Sequence, residues 1–347
     1  MLKTLLARHH IVPYALAALL GATGVLCFAP VNLFWLAPLV WAGFFVLLQQ
    51  ATTPRQATLT GFSFGLGLFL VGVSWIYVSL STFGGMPWWL AGPATALFCA
   101  AMALYPALAG WLFKRWQPAL FWQQALYFAA LIAATDWLRS WAFTGFPWLT
   151  LGYTQTPPSP LAGFAPLFGV FGLSLLVALS GALLLRWRIG LTVLTLLGLC
   201  GFGLQQVAWT TPVGEPVSIA LIQGNVPQEM KFRPEAFFRT LDLYHDLIEQ
   251  NPAQLTLLPE TAFPAFIDQV PTAYLDLLRD LAARQKGDIV VGSVSGDREQ
   301  YFNSAISLGQ SPSQTYSKQH LVPFGEFIPA GFSWFMQLAS IPMSSFT

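Results

Sequence analysis

Two residues late in the chain combine a useful chemical type with a setting that could put them to work. Glu260 closes the apolar run in LLPETAFP, and Lys318 opens the motif YSKQHLVPFGEFIP, in which apolar and turn-forming residues run on to a glutamate. Both follow short β-like runs, QLTLLPE and SQTYSK, so both should sit at the mouth of a sheet, where side chains of an α/β protein commonly meet ligand. A carboxylate and an ammonium at neighbouring strand ends can act as general base and oxyanion stabiliser once a nucleophile completes the set. A structural ion pair also fits this spacing, so spacing alone does not decide.

The elements that would position these residues alternate in kind. VSIALIQGN (217 to 225) reads as a buried strand ending in a turn, and PEAFFRTLDLYHDLIEQ (234 to 250) as a helix with Phe237, Leu241, Tyr244 and Ile248 on one stripe. Strand QLTLLPE, helix TAYLDLLRDLAARQ and strands DIVVGSV, NSAISLG and SQTYSK follow. Such alternation predicts α/β layers around a central sheet.

Upstream of this part the chain is written for another solvent. The whole sequence is 55% hydrophobic and only 9% charged, against about 25% charged in an ordinary soluble domain. Only nine charged residues precede Thr211, which divides the chain into a membrane part, residues 1 to 210, and a water-soluble part, residues 211 to 347. Seven apolar stretches of about 20 residues can be cut at charges, Pro and Gly: 11 to 29, 31 to 49, 57 to 80, 88 to 113, 119 to 139, 161 to 185 and 189 to 209. The expected fold is a polytopic α-helical bundle of about seven spans followed by an α/β domain.

Orientation follows from Lys and Arg, which accumulate on the cytoplasmic side of short loops. One side carries Lys3, Arg8, Arg55, Lys114, Arg115, Arg186 and Arg188; the loops STFGGMP and GFPWLTLGYTQTPPSP carry none, and Arg139 alone lies near them. The N-terminus is therefore expected in the cytoplasm and everything after Trp209 outside. The outer loop SWAFTGFPWLTLGY concentrates Trp141, Phe143, Phe146, Trp148 and Tyr153. It reads either as an aromatic belt anchoring helix ends or as a lipid-contacting wall beside a site. Arg139 either pairs with Asp136 at i, i+3 or faces a lipid phosphate. Cys27, Cys99 and Cys200 all fall in apolar segments, where they read as packing thiols.

LLPETAFP around Glu260 and YSKQHLVPFGEFIP around Lys318 resemble the glutamate and lysine motifs of the carbon–nitrogen hydrolase (nitrilase) superfamily. With the seven apolar segments, GFPWLTLGYTQ and QGNVPQEMKF, nearly the whole chain resembles the membrane-bound branch of that superfamily, the apolipoprotein N-acyltransferases of Gram-negative bacteria. The resemblance implies a nitrilase-like sandwich outside the inner membrane. It also implies transfer of an acyl chain from a membrane phospholipid to a cysteine, and then to the α-amino group of the lipid-bearing cysteine of a lipoprotein. Glu260 would be the base of both halves, Lys318 would stabilise the oxyanion, and Glu326 would be the further carboxylate that fixes them. Phospholipid and diacylated apolipoprotein are the expected partners; no metal, cofactor or nucleic acid is expected, and the protein should be a monomer.

Two departures stand out. The nucleophilic cysteine implied by the resemblance should follow Glu326, yet no cysteine follows Cys200 in the sequence. The expectation is a C-terminally truncated enzyme, inactive alone and with an unpaired sheet edge near 330 to 347. A non-catalytic lipoprotein- or lipid-binding relative is the alternative, ahead of a transporter. The second departure is Phe232 in MKFRPE, where an aromatic residue, commonly Trp, is expected over the site. It either packs on an acyl chain or staples the helix beginning near Pro234.

Overall fold

The computed structural model describes residues 11 to 297, 300 to 323 and 325 to 327. The chain forms two compact units, Met1–Thr211 and Pro212–Thr347. The first is helical: α1 (Val12–Gly24), α2 (Ala37–Gln50), α3 (Pro54–Gly72), α4 (Trp88–Arg115), α5 (Phe121–Trp141), α6 (Ala165–Leu183) and α7 (Trp187–Leu204). Proline enters the first turn of α1, α2, α3 and α6, where no amide hydrogen is missed and φ is already helical. Thr53 caps α3 by accepting from the Gln56 amide at 3.2 Å. Aromatic rings fill the interior, with Phe44 stacked on Phe64 at 4.2 Å and Phe45 against Phe128 at 5.0 Å.

Seven uninterrupted spans are not what these helices supply. Among the described residues two runs, Trp88–Arg115 and Pro160–Leu204, are long and apolar enough to cross a membrane. A third is the pair Pro54–Gly72 and Trp75–Phe83, if its 50° bend lies within one span. Helices α1 and α2 have 13 and 14 residues because the APVN turn and a 3-10 turn at Phe34–Leu36 divide the apolar sequence between them. The 45-residue run Pro160–Leu204 is folded back on itself. A Cβ on Gly163 would run into the Gly201 carbonyl oxygen, whereas a straight helix would set these residues about 57 Å apart. The reversal lies at Leu184–Arg186, where Arg186 leaves the helical region with φ −104° and ψ 69°. Lys3 and Arg8 lie outside the described residues.

The second unit is a mixed sheet packed on helices. Strands β1 (Ile219–Leu221), β2 (Leu255–Leu257), β3 (Phe263–Phe266), β4 (Asp288–Gly296), β5 (Tyr301–Gly309) and β6 (Thr315–Ser317) run in the order β1-β2-β4-β5-β6, with β3 also on β4. The β1, β2, β3 and β4 pairings are parallel and those of β4, β5 and β6 antiparallel. Helices α8 (Pro234–Gln250) and α9 (Thr272–Arg284) bring Leu241, Tyr244, Ile248, Leu278 and Leu281 into one core with Ile289, Val291, Ile306 and Leu308. One sequence reading fails here: strand β1 is not buried, since Ile219 and Leu221 are 56% and 76% exposed. The stripe on α8 holds, with Phe237 partly buried against the core that Leu241, Tyr244 and Ile248 enter. Strand β3 was not anticipated, because Pro264 argues against a strand. The expected edge near 330 to 347 falls outside the described residues.

Candidate active site

The sheet places one carboxylate by backbone crowding. After β2 the chain turns at Glu260 and Thr261, and Thr261 takes a left-handed φ of 51°. The Leu258 amide donates to the Val290 carbonyl at 2.9 Å, which ties the turn to β4. A Cβ at Gly292 of β4 would meet the Pro259 oxygen at 2.5 Å and the Thr261 nitrogen at 2.6 Å. Only glycine lets the turn come so close, and the turn carries Glu260 out past the strand end.

The remaining groups arrive from β5 and β6. Asn303 on β5 accepts the Lys318 amide on its backbone carbonyl at 2.8 Å, just after β6 ends. Beyond Lys318 the chain closes on itself at Glu326. The Glu326 amide donates to the Val322 carbonyl at 2.8 Å, and the Val322 amide donates to Glu326 Oε2 at 2.7 Å. The Lys318 ammonium donates to Glu326 Oε1 at 2.8 Å and stands 3.6 Å from Glu260 Oε1. The Asn303 amide donates to Glu326 Oε1 at 3.1 Å and to Glu260 Oε1. From the other side the Lys231 ammonium donates to the backbone carbonyl of Glu260 at 3.1 Å.

The two carboxylates are not equivalent. Both oxygens of Glu326 are engaged, one by Lys318 and Asn303 and the other by Val322, and its side chain is 13% exposed. Glu260 is 62% exposed, and its Oε2 accepts no hydrogen bond among the described residues. Burial alone would raise the Glu326 carboxyl, but the Lys318 ammonium, the Val322 amide and Asn303 outweigh it and hold the group below its ordinary range. Burial likewise pushes Lys318 down, and its bonds and charge contacts with Glu326 and Glu260 outweigh that and hold it above its ordinary value. Lys231 is lowered by burial, against the pull of Glu260. Near neutral pH Glu326 is therefore a fixed anion and Lys318 a fixed cation, and among the described residues Glu260 keeps one oxygen without a hydrogen bond.

Glu260, Lys318 and Glu326 thus come together. Asn303 and Lys231 join them without having been singled out in the sequence; the one signal for Asn303 was an amide inside the apolar run FNSAISL. Phe232 follows the short helix Gln228–Lys231 and is 63% exposed, so it does not staple α8. Arg139, Phe146 and Trp148 belong to the helical unit. Arg139 is 2% exposed and does not present a bare guanidinium. It donates to the carbonyls of Phe146 and Trp148 at 2.6 Å each and to Asp136 at 2.9 Å. Phe146 packs edge-on to Phe98 at 4.9 Å, and Trp148 leans on Trp75 at 5.3 Å. Cys27 and Cys99 are buried, as packing thiols should be, but Cys200 on α7 is exposed.

Comparison with known proteins agrees with this division. The family model for the apolipoprotein N-acyltransferase N-terminal domain matches residues 20–183, and that for carbon-nitrogen hydrolase matches residues 218–334. An apolipoprotein N-acyltransferase of Nitrosomonas europaea is 46% identical over 94% of this chain and 68% of its own length. Those of Ralstonia nicotianae and Chromobacterium violaceum are each 41% identical over 95% of this chain, covering 65% and 66% of their own lengths. The chain thus spans about two thirds of the length of the curated relatives it matches.

Proposed function

The chain belongs to the apolipoprotein N-acyltransferase family, and from that premise we propose that Glu260 is the general base of a phospholipid-to-lipoprotein acyl transfer. The observation that carries this reading is the Oε2 of Glu260, which accepts no hydrogen bond among the described residues, set beside a Lys318 ammonium that stays protonated. In the first half a thiol loses its proton to Glu260 and attacks the ester carbonyl of a phospholipid; the lyso-phospholipid leaves as an alcohol and takes the proton. In the second half the α-amine of a diacylated lipoprotein attacks the thioester, again losing a proton to Glu260, and the thiol leaves. Lys318 faces the negative oxygen formed in each half, and Glu326 holds Lys318. The sheet unit supplies base and cation; Cys27, Cys99 and Cys200 belong to the helical unit.

The apolar helices and the one-sided Lys and Arg support a multi-pass protein of the bacterial inner membrane, with a cytoplasmic N-terminus and the sheet unit in the periplasm. The reading of about seven crossings counts the folded-back run Pro160–Leu204 as two and includes the shorter apolar helices, beyond the two or three described runs that reach spanning length by themselves. Phe232, Trp148 and Phe146 would contact the acyl chains, and Arg139 would act through the loop it holds. The direct test is Glu260→Gln in the enzyme expressed from its native gene, assayed with phospholipid and a diacylated lipopeptide. N-acylation should fall about 100- to 10,000-fold with the melting temperature unchanged, and a normal rate would remove Glu260 from the chemistry.

A further inference from the structure

We propose that Asn303 is a positioning residue that decides which oxygen of the base takes the proton. The inference rests on the reading of Glu260 as that base. The Asn303 side chain stands between two carboxylates and gives one amide hydrogen to Oε1 of each. Its orientation is fixed by chemistry: ionised carboxylates only accept, so an amide turned the other way would set its carbonyl oxygen against two anions. The residue is 7% exposed, paired in register with Val294 of β4 and bonded through its carbonyl to the Lys318 amide. A single residue of β5 therefore references both carboxylates and the lysine.

Two consequences follow for proton traffic. An oxygen that already accepts an amide hydrogen and faces an ammonium is a poor place for a second proton, so Glu260 Oε1 stays bare and Oε2 takes the proton. The two carboxylates also share the Lys318 ammonium between them, and the amide hydrogens offset their mutual repulsion. Without those hydrogens the anions would raise each other's affinity for protons. The charged groups around Glu260 are Lys318 and Glu326 on the side of Asn303, and Lys231, bonded to the Glu260 carbonyl, on the other.

The test is the pH dependence of N-acylation in the enzyme expressed from its native gene, comparing Asn303→Asp and Asn303→Ser with the parent. Asn303→Asp keeps the shape but donates only when protonated. It should move the acidic limb of the rate profile up by at least about one pH unit and lower kcat at neutral pH about 100-fold, with KM for phospholipid unchanged. Asn303→Ser, too short to reach both carboxylates, should move the limb the same way by less. Glu260→Gln in the same assay tests the base separately, since a retained rate there sinks Glu260 itself. A rate lost in Glu260→Gln with an unmoved acidic limb in both Asn303 variants overturns the assignment to Asn303 alone. Unfolding of Asn303→Ser in detergent at the assay temperature also overturns it, because Asn303 would then serve the sheet and not the base.

Discussion

The Arg139 cluster of the helical unit and the Lys318 cluster of the sheet unit are built to opposite ends. Around Arg139 every group is occupied. The guanidinium takes two carbonyls and Asp136, and Asp136 in turn accepts the Leu151 amide and the Ser174 hydroxyl at 2.9 Å each. Around Lys318 the same ingredients are arranged so that, among the described residues, one carboxylate oxygen is left over. A closed ion-pair network is architecture, whereas a reaction needs a group whose bonding is incomplete. Local charge density alone does not distinguish the two; the hydrogen-bond tally does.

The widest gap between the clusters should appear on Arg139→Leu. Asp136 would keep its burial and lose its cation, which costs about 3–5 kcal/mol, read as a lower melting temperature in detergent. Adding Asp136→Leu should return part of the loss. If Arg139→Leu melted normally and yet lost acyl transfer, the helical cluster would have to be counted as chemistry too. Lys318→Met tests the other cluster and should give the reverse signature, a roughly 100- to 1,000-fold drop in rate with little change in melting. Gly292→Ala should be milder. It pushes the Glu260 turn off β4 without touching a charged group, and a displacement of the order of 1 Å lowers the rate by up to about 100-fold.

The smallest effect is in the pH dependence of stability. Glu326 lies below its ordinary value of 4.5 when folded, so its contribution is complete above that pH and is lost as pH falls through the depressed folded value. Lys318 lies above its ordinary 10.5, so its contribution is complete below that pH and is lost as pH rises through the raised value. The melting difference between the parent and Glu326→Gln should therefore vanish in acid. A difference that persisted well below pH 4 would mean that Glu326 acts by shape and not by charge.

Much of this was legible in the sequence, for reasons that also mark the limits. Glu260, Lys318 and Glu326 sit in local motifs whose turn residues announce them, and α8 and α9 follow from their apolar stripes. Asn303 and Gly292 were not legible, because their roles come from register. Asn303 lies 43 positions from Glu260, and Gly292 matters only because a turn made of Pro259, Glu260 and Thr261 lands on it. Hydropathy marked Ile219 and Leu221 as apolar but could not say what covers them. The reversal at Arg186 was legible, because Arg186 and Arg188 interrupt the apolar run between 161 to 185 and 189 to 209.

The Arg139 and Asp136 pair is also a ruler. From fixed points on α5 it touches the chain at residues 146, 148 and 151, so the number of residues between those marks is set in advance. Just before the first mark, Phe143, Thr144 and Gly145 form a left-handed bulge, and Phe143 is 96% exposed. A residue inserted after Pro147 would therefore slide the Trp148 carbonyl and the Leu151 amide off their partners.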